Sequence, residues 1–190
     1  MPTTKWGGCC YTAVDPGVNV TGFAVYKTAM NGTPQLIRYG SAAPPDMFES
    51  EHERTAYVVD KLGGVFNEHT PAFCYVEQPP FTLYGQKGTK DMLIARAQSV
   101  FKTVAVCFSI LTYLRIRTKI IGVPLFPSQW QPSKKARNNM DTKEWSLLYA
   151  NRILGTDMQR PPGTLHTQAD ENIADAVSIG KIAYIAEVLP

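Results

Sequence analysis

The alternation of strand-like and helical segments is what most constrains the fold of this chain. Residues 9–14 are short, apolar and β-prone, and they run into Asp15-Pro16-Gly17, a turn signal. Residues 21–27 form a second such strand, Asn31-Gly32 supplies a hairpin turn, and residues 35–40 form a third strand. Strands joined by connections this short pair side by side in opposite directions. The chain therefore opens with a three-stranded antiparallel meander.

After the Pro-containing stretch 42–46 the period changes. Residues 49–69 place Ala56, Val59, Leu62, Val65 and Phe66 at helical spacing, with Gly63-Gly64 weakening the last turn. Residues 72–76 read as a buried strand that ends at Glu77 and is stopped by Gln78-Pro79-Pro80. A glycine-bearing loop over 81–88 leads into a long helix over 90–114, apolar over much of its surface and so predicted to be central and buried. Residues 118–123 are a fifth strand, closed by Pro124. Residues 127–141 are polar and carry Lys134, Lys135 and Arg137, the composition of a mobile basic loop. A helix over 142–154 ends at Gly155, a second Pro- and Gly-containing loop follows over 156–168, and a last helix covers 170–189. Strands joined by helical crossovers lie parallel. The expected architecture is thus an α/β, five-stranded mixed sheet, antiparallel meander then parallel strands, flanked by helices.

Composition sets the remaining bounds. The chain has 190 residues, a length expected for a single domain able to bury a core without disulfide staples. With 44% hydrophobic and 18% charged residues it is not a disordered sequence. A net charge of +3 allows a nucleic-acid partner without demanding one. Cys9, Cys10, Cys74 and Cys107 lack zinc-ligand spacing and are expected to be free thiols of a reducing compartment. Residues 1–8 show no signal-peptide pattern, and Arg96, Gln98, Lys102 and Arg115 break the longest apolar stretch, 92–116, as a membrane span. The expectation is a soluble cytoplasmic protein with no membrane partner, from a bacterium or a phage-infected host.

Three acids fall at informative places. Asp15 and Glu77 each follow an apolar strand directly, and Asp175 lies in the first turns of the last helix. In open α/β sheets ligands gather outside the carboxyl ends of the strands. An acid at the rim of a buried strand is costly unless something pairs with it. No Lys or Arg stands beside Asp15 or Glu77 in sequence, and a divalent metal is an effective partner because hard oxygen ligands suit Mg²⁺. Taken singly, Asp15 before Pro-Gly reads equally as a turn former, Glu77 as half of a distant ion pair, and Asp175 as a solvated helix position.

Taken together they resemble a known family. Ala13-Val14-Asp15-Pro16-Gly17 with Thr21-Gly22-Phe23-Ala24-Val25, then Tyr75-Val76-Glu77-Gln78, then Ile173-Ala174-Asp175-Ala176-Val177-Ser178-Ile179-Gly180, resemble in order and spacing the motifs of RuvC-type Holliday junction resolvases. Each motif is weak alone, and their co-linearity spans nearly the whole chain. The resemblance implies a ribonuclease-H-like fold and a homodimeric, Mg²⁺-dependent nuclease that cuts branched DNA, with Mn²⁺ as a possible substitute. It implies Asp15 as the carboxylate bridging two metal ions, Glu77 as holder of the ion that binds the attacking water, and Asp175 as the ligand from the helix.

One position departs from the family pattern. Where an acid is expected three residues before the last Asp, this chain has Asn172, with Glu171 on the same helix face as Asp175. Asn172, through its carbonyl oxygen, is taken as the fourth ligand, with Glu171 as the alternative. Lys134, Lys135, Arg137 and Lys143 are the candidate phosphate contacts, Lys143 matching a basic position of the family; an ordinary solvated loop is the competing reading. Phe81 and Tyr84, with Lys87, are placed to stack on an unpaired base, or Phe81 packs in the core. His52, His69 and His166 share no ligand spacing, and only His166 is near enough in sequence to approach the site. Two rival functions stay open. One is a non-catalytic branched-DNA-binding module, to which Asn172 points. The other is an actin- or sugar-kinase-like phosphotransferase, against which stands a length sufficient for only one such lobe.

Overall fold

The computed structural model describes residues 8–79, 89–155 and 166–188. Its elements are β1 (Cys10–Asp15), β2 (Thr21–Thr28), β3 (Pro34–Ala42), α1 (Glu51–His69), β4 (Phe73–Glu77), α2 (Lys90–Arg117), β5 (Ile121–Leu125), α3 (Pro127–Trp130), α4 (Thr142–Leu154) and α5 (His166–Val188). The five strands form one sheet in the order β3-β2-β1-β4-β5. The pairs β3-β2 and β2-β1 are antiparallel, whereas β1-β4 and β4-β5 are parallel. This is the mixed sheet that the sequence predicts.

Strand alternation decides which side chains meet. On β1 and β4 successive residues point to opposite faces. Tyr11, Ala13, Phe73 and Tyr75 enter one core with Leu147 and Ala150 of α4 and Ala174, Val177 and Ile179 of α5. Val14, Cys74 and Val76 enter the other with Val58 and Leu62 of α1 and Val106, Ile110 and Leu114 of α2. Asp15 and Glu77 share the parity of Tyr11 and Tyr75. They therefore leave the sheet on the side of α4 and α5, one step beyond the Val14–Val76 pair.

Helix α5 can lie close on that face because two glycines let it. A Cβ on Gly22 of β2 would stand 2.0 Å from the Asn172 carbonyl oxygen, and one on Gly180 would stand 2.4 Å from the Tyr26 ring. Tyr11 and Tyr26 fasten the same helix by donating their hydroxyls to the carbonyls of Gly180 (3.0 Å) and Val177 (2.6 Å). Helix α1 is started by a capping box, Ser50 with Glu53, and stopped by Thr70 in the left-handed region.

Three expectations need correcting. Helix α2 is not central: only Val106, Cys107, Ile110 and Leu114 are buried, and Phe101, Phe108 and Ile116 are exposed. It lies on the outer side of the sheet beside α1, so one stripe faces the core and the rest of its apolar surface faces outward. By length and composition it is long and apolar enough to cross a membrane, Arg96 and Lys102 notwithstanding. The fifth strand is shifted to Ile121–Leu125 and includes Pro124. Thr118 caps α2 by donating its hydroxyl to Leu114 O (2.7 Å), and an edge strand tolerates a residue without an N–H. The basic segment after β5 is not a bare loop. It contains α3, and Arg137 ties it together by donating to Pro132 O (3.1 Å), Met140 O (3.0 Å) and Thr142 Oγ1 (2.7 Å).

Candidate active site

Asp15 is the last residue of β1, Glu77 the last of β4, and Asp175 sits on α5 facing them. Asp15 and Asp175 are buried and Glu77 is half-buried. Burial drives the Asp15 carboxyl well above the ordinary carboxylate range, and the charges of Glu77 and Asp175 push it further, against the opposing pull of Lys143. Burial also raises Glu77, but less, because Glu77 accepts hydrogen bonds from Asp15 and from Trp130. The two carboxyl groups thus act on one another, and the upward shift is the stronger at Asp15.

The fourth member is Lys143, in the first turn of α4, whose cap Asp141 accepts from the Lys143 amide (2.9 Å). Its Nζ donates to Asp175 Oδ2. Burial alone would lower the Lys143 ammonium, but the charges of Asp175, Asp15 and Glu77 outweigh it and hold the amine protonated. The other oxygen of Asp175, Oδ1, is buried and has no hydrogen-bond partner. A buried carboxylate oxygen left without a donor is the mark of a position built to meet something else.

That observation bears on a metal. As they stand, no three His, Cys, Asp or Glu side chains among the described residues are arranged to hold an ion. The Lys143 ammonium lies on Asp175 Oδ2. Three converging carboxyl groups and one orphaned oxygen are the donor set of a hard divalent cation.

Asn172 is buried on α5 one turn before Asp175. Its Nδ2 donates to Val20 O at 2.5 Å, which pins the amino end of α5 to the connection between β1 and β2. That connection is itself closed by Gly17 and Thr21, the Gly17 amide donating to Thr21 Oγ1 (3.1 Å) and the hydroxyl donating to Gly17 O (2.9 Å). The side-chain amide nitrogen is therefore committed, and only the carbonyl oxygen is left for a ligand. Glu171 is half-buried on the same turn.

The remaining candidates divide. Lys134 and Lys135 are exposed on the segment between β5 and α4. Arg137, expected among the phosphate contacts, is instead engaged inside that segment by the three bonds given above. Phe81, Tyr84 and Lys87 lie outside the described residues, as does the side chain of His166. His52 is exposed on α1, and His69 lies beside Glu68 at the far end of that helix, 3.5 Å from its Oε1. Sequence reasoning missed Trp130, which donates its indole N–H to Glu77 Oε1 at 3.2 Å. The available signal was a tryptophan in an otherwise polar segment.

The strand order, the change from antiparallel to parallel pairing at β1 and the acids at the carboxyl ends of β1 and β4 define a ribonuclease-H-like fold. Within that class the chain has the fold of the RuvC-type resolvases. It superposes on T. thermophilus RuvC in complex with a Holliday junction substrate with a TM-score of 0.63 at 18% identity, covering 94% of this chain and 95% of that one. A second Thermus thermophilus RuvC structure gives 0.61 at 19% identity over the same shares. The yeast mitochondrial Holliday junction resolvase Ydc2 gives 0.53 at 11% identity, covering 98% of this chain and 82% of that one. No family profile matches the sequence, and neither does any curated protein.

Proposed function

We propose that this protein is a structure-selective endonuclease that resolves four-way or otherwise branched DNA by Mg²⁺-dependent phosphodiester hydrolysis. The observation that carries the reading is the convergence of Asp15, Glu77 and Asp175, with one oxygen unsatisfied, at the carboxyl end of a sheet whose fold is that of a protein solved in complex with a Holliday junction substrate. Asp15, Glu77, Asp175 and the Asn172 carbonyl would hold the metal, with Mn²⁺ as a substitute. A pair of such ions supplies charge for activating water and for stabilising the leaving oxygen.

The chain's own residues then have distinct tasks. With Asp15 and Glu77 both ionised, the two carboxylates would be available as ligands. Lys143 exchanges its contact with Asp175 for a contact with the scissile phosphate. Lys134 and Lys135, exposed nearby in sequence, add phosphate contacts whose affinity depends on salt. Phe81 and Tyr84 follow Glu77 in the chain and are assigned to stacking on an unpaired base. Symmetric nicking of two strands requires two sites related by a two-fold axis, and hence a homodimer. The exposed apolar side chains of α2, Phe101, Phe108 and Ile116, support such pairing.

The test is incubation with a synthetic four-way junction, a linear duplex and ATP, with and without Mg²⁺. Paired nicks in the junction alone, dependent on Mg²⁺, are expected. Junction retention without cleavage would select a binding module, and ATP turnover a phosphotransferase.

A further inference from the structure

We propose that Trp130 is a positioning residue of the carboxylate site: it fixes the orientation of Glu77 through its indole N–H. The inference rests on the metal-site reading above and deepens it. Trp130 is 2% exposed, and a buried indole N–H needs an acceptor. The acceptor it has is Glu77 Oε1, at 3.2 Å.

The backbone around the pair is built to hold that distance. Leu125 of β5 stands in register with Glu77 of β4, and the Gln78 amide donates to Leu125 O at 2.7 Å. From Leu125 the chain turns at once into α3. There the Phe126 amide donates to Gln129 Oε1 (2.7 Å) and the Gln131 amide to Pro127 O (2.8 Å). Trp130 is thus carried at a fixed offset from the strand end that bears Glu77. Its ring belongs to the core cluster that also contains Leu147 of α4 and Ala174 of α5, the neighbours in sequence and space of Lys143 and Asp175. Trp130 therefore joins Glu77 to the core that α4 and α5 also pack into.

The chemical consequence is directional. The indole N–H on Oε1 sets the rotation of the Glu77 carboxylate plane. Groups that orient a metal ligand from behind typically change metal affinity by about 10–100-fold when removed.

The experiment uses full-length protein and Mg²⁺ alone. In metal-free protein labelled with ¹⁵N, the Trp130 indole cross-peak is assigned by its loss in Trp130→Phe. It is expected to move in Glu77→Ala and, in wild type, on titration with Mg²⁺. Trp130→Phe keeps an aromatic ring in the core but removes the donor. It is expected to raise the Mg²⁺ concentration at half-saturation about tenfold by calorimetry, with junction affinity in chelator unchanged. An indole peak unmoved by Glu77→Ala, or a Trp130→Phe protein that binds Mg²⁺ as wild type does, overturns the proposal. Should Trp130→Phe fail to fold, the Trp130 peak is assigned by elimination from Trp6→Phe and Trp145→Phe, and its responses to Glu77→Ala and to Mg²⁺ decide the proposal. Wild type that takes up no Mg²⁺ would refute the metal-site reading instead, while the metal-free Glu77→Ala comparison would still report on the Trp130 contact.

Discussion

Replacing Lys143 by methionine removes the one cation that, among the described residues, faces the acidic cluster, while keeping a side chain of similar length. The Asp175 side chain is 5% exposed and that of Lys143 38% exposed, so the pair is neither a surface bridge nor a fully buried one. Exposed pairs contribute about 0–1 kcal/mol, and breaking a buried pair by deleting one partner costs about 3–5 kcal/mol. Discounting for the half-open lysine places Lys143→Met at about 2 kcal/mol. For a domain of this size that is a fall in Tm of roughly 4–8 °C in chelator. The burden falls on Asp175: among the described residues its Oδ1 already lacks a partner, and its Oδ2 would lose its donor. The assay is thermal or urea unfolding of wild type, Lys143→Met, Asp175→Asn and the double variant, all metal-free. A coupling energy of about 1–2 kcal/mol between the two positions is expected. Saturating Mg²⁺ should then narrow the gap between Lys143→Met and wild type, because a divalent cation replaces the lost charge. A metal-free Lys143→Met as stable as wild type, or a coupling below about 0.5 kcal/mol, would show that the ammonium does not hold the cluster together.

Asp15→Asn should abolish junction cleavage and leave binding intact or tighter, read by nicking and by mobility shift in chelator. The same variant tests the buried proton. Above the ordinary carboxylate range folded Asp15 keeps a proton that the unfolded chain has released, so metal-free wild type should lose stability as pH rises through the raised folded value. Asp15→Asn should flatten that slope and unfold at a higher temperature near neutrality; an unchanged pH profile would contradict the upward shift of Asp15. Lys134→Ala/Lys135→Ala should weaken binding to every DNA and lower the steepness of its salt dependence by about 1.8, near 0.9 for each lost duplex contact. An unaltered slope would mean that both lysines are merely solvated. Asn172→Asp deletes the donor to Val20 O and sets a carboxylate against a carbonyl, so metal-free protein should lose about 1–3 kcal/mol on urea unfolding. Mg²⁺ should recover part of that loss if the new carboxylate becomes a ligand.

The sheet and the strand-end positions of Asp15 and Glu77 were legible in local sequence pattern. The meander, the crossovers and the parity that puts Asp15 and Glu77 on the face of Tyr11 and Tyr75 all follow from period-two patterning and turn chemistry, which act between near neighbours. The placement of acids directly after apolar strands was legible for the same reason. Tertiary structure decided what those acids touch. Trp130 reaches Glu77 across 53 positions, Lys143 reaches Asp175 across 32, and Asn172 reaches Val20 across 152. No local pattern encodes such separations, because each depends on where three different helices come to rest on the sheet. Arg137 shows the same limit: nothing in its local sequence marks the bonds it makes to two carbonyls and a hydroxyl. Helix α2 shows it for apolar residues, since hydrophobicity marks what avoids water, and only packing against the sheet selects which stripe is covered.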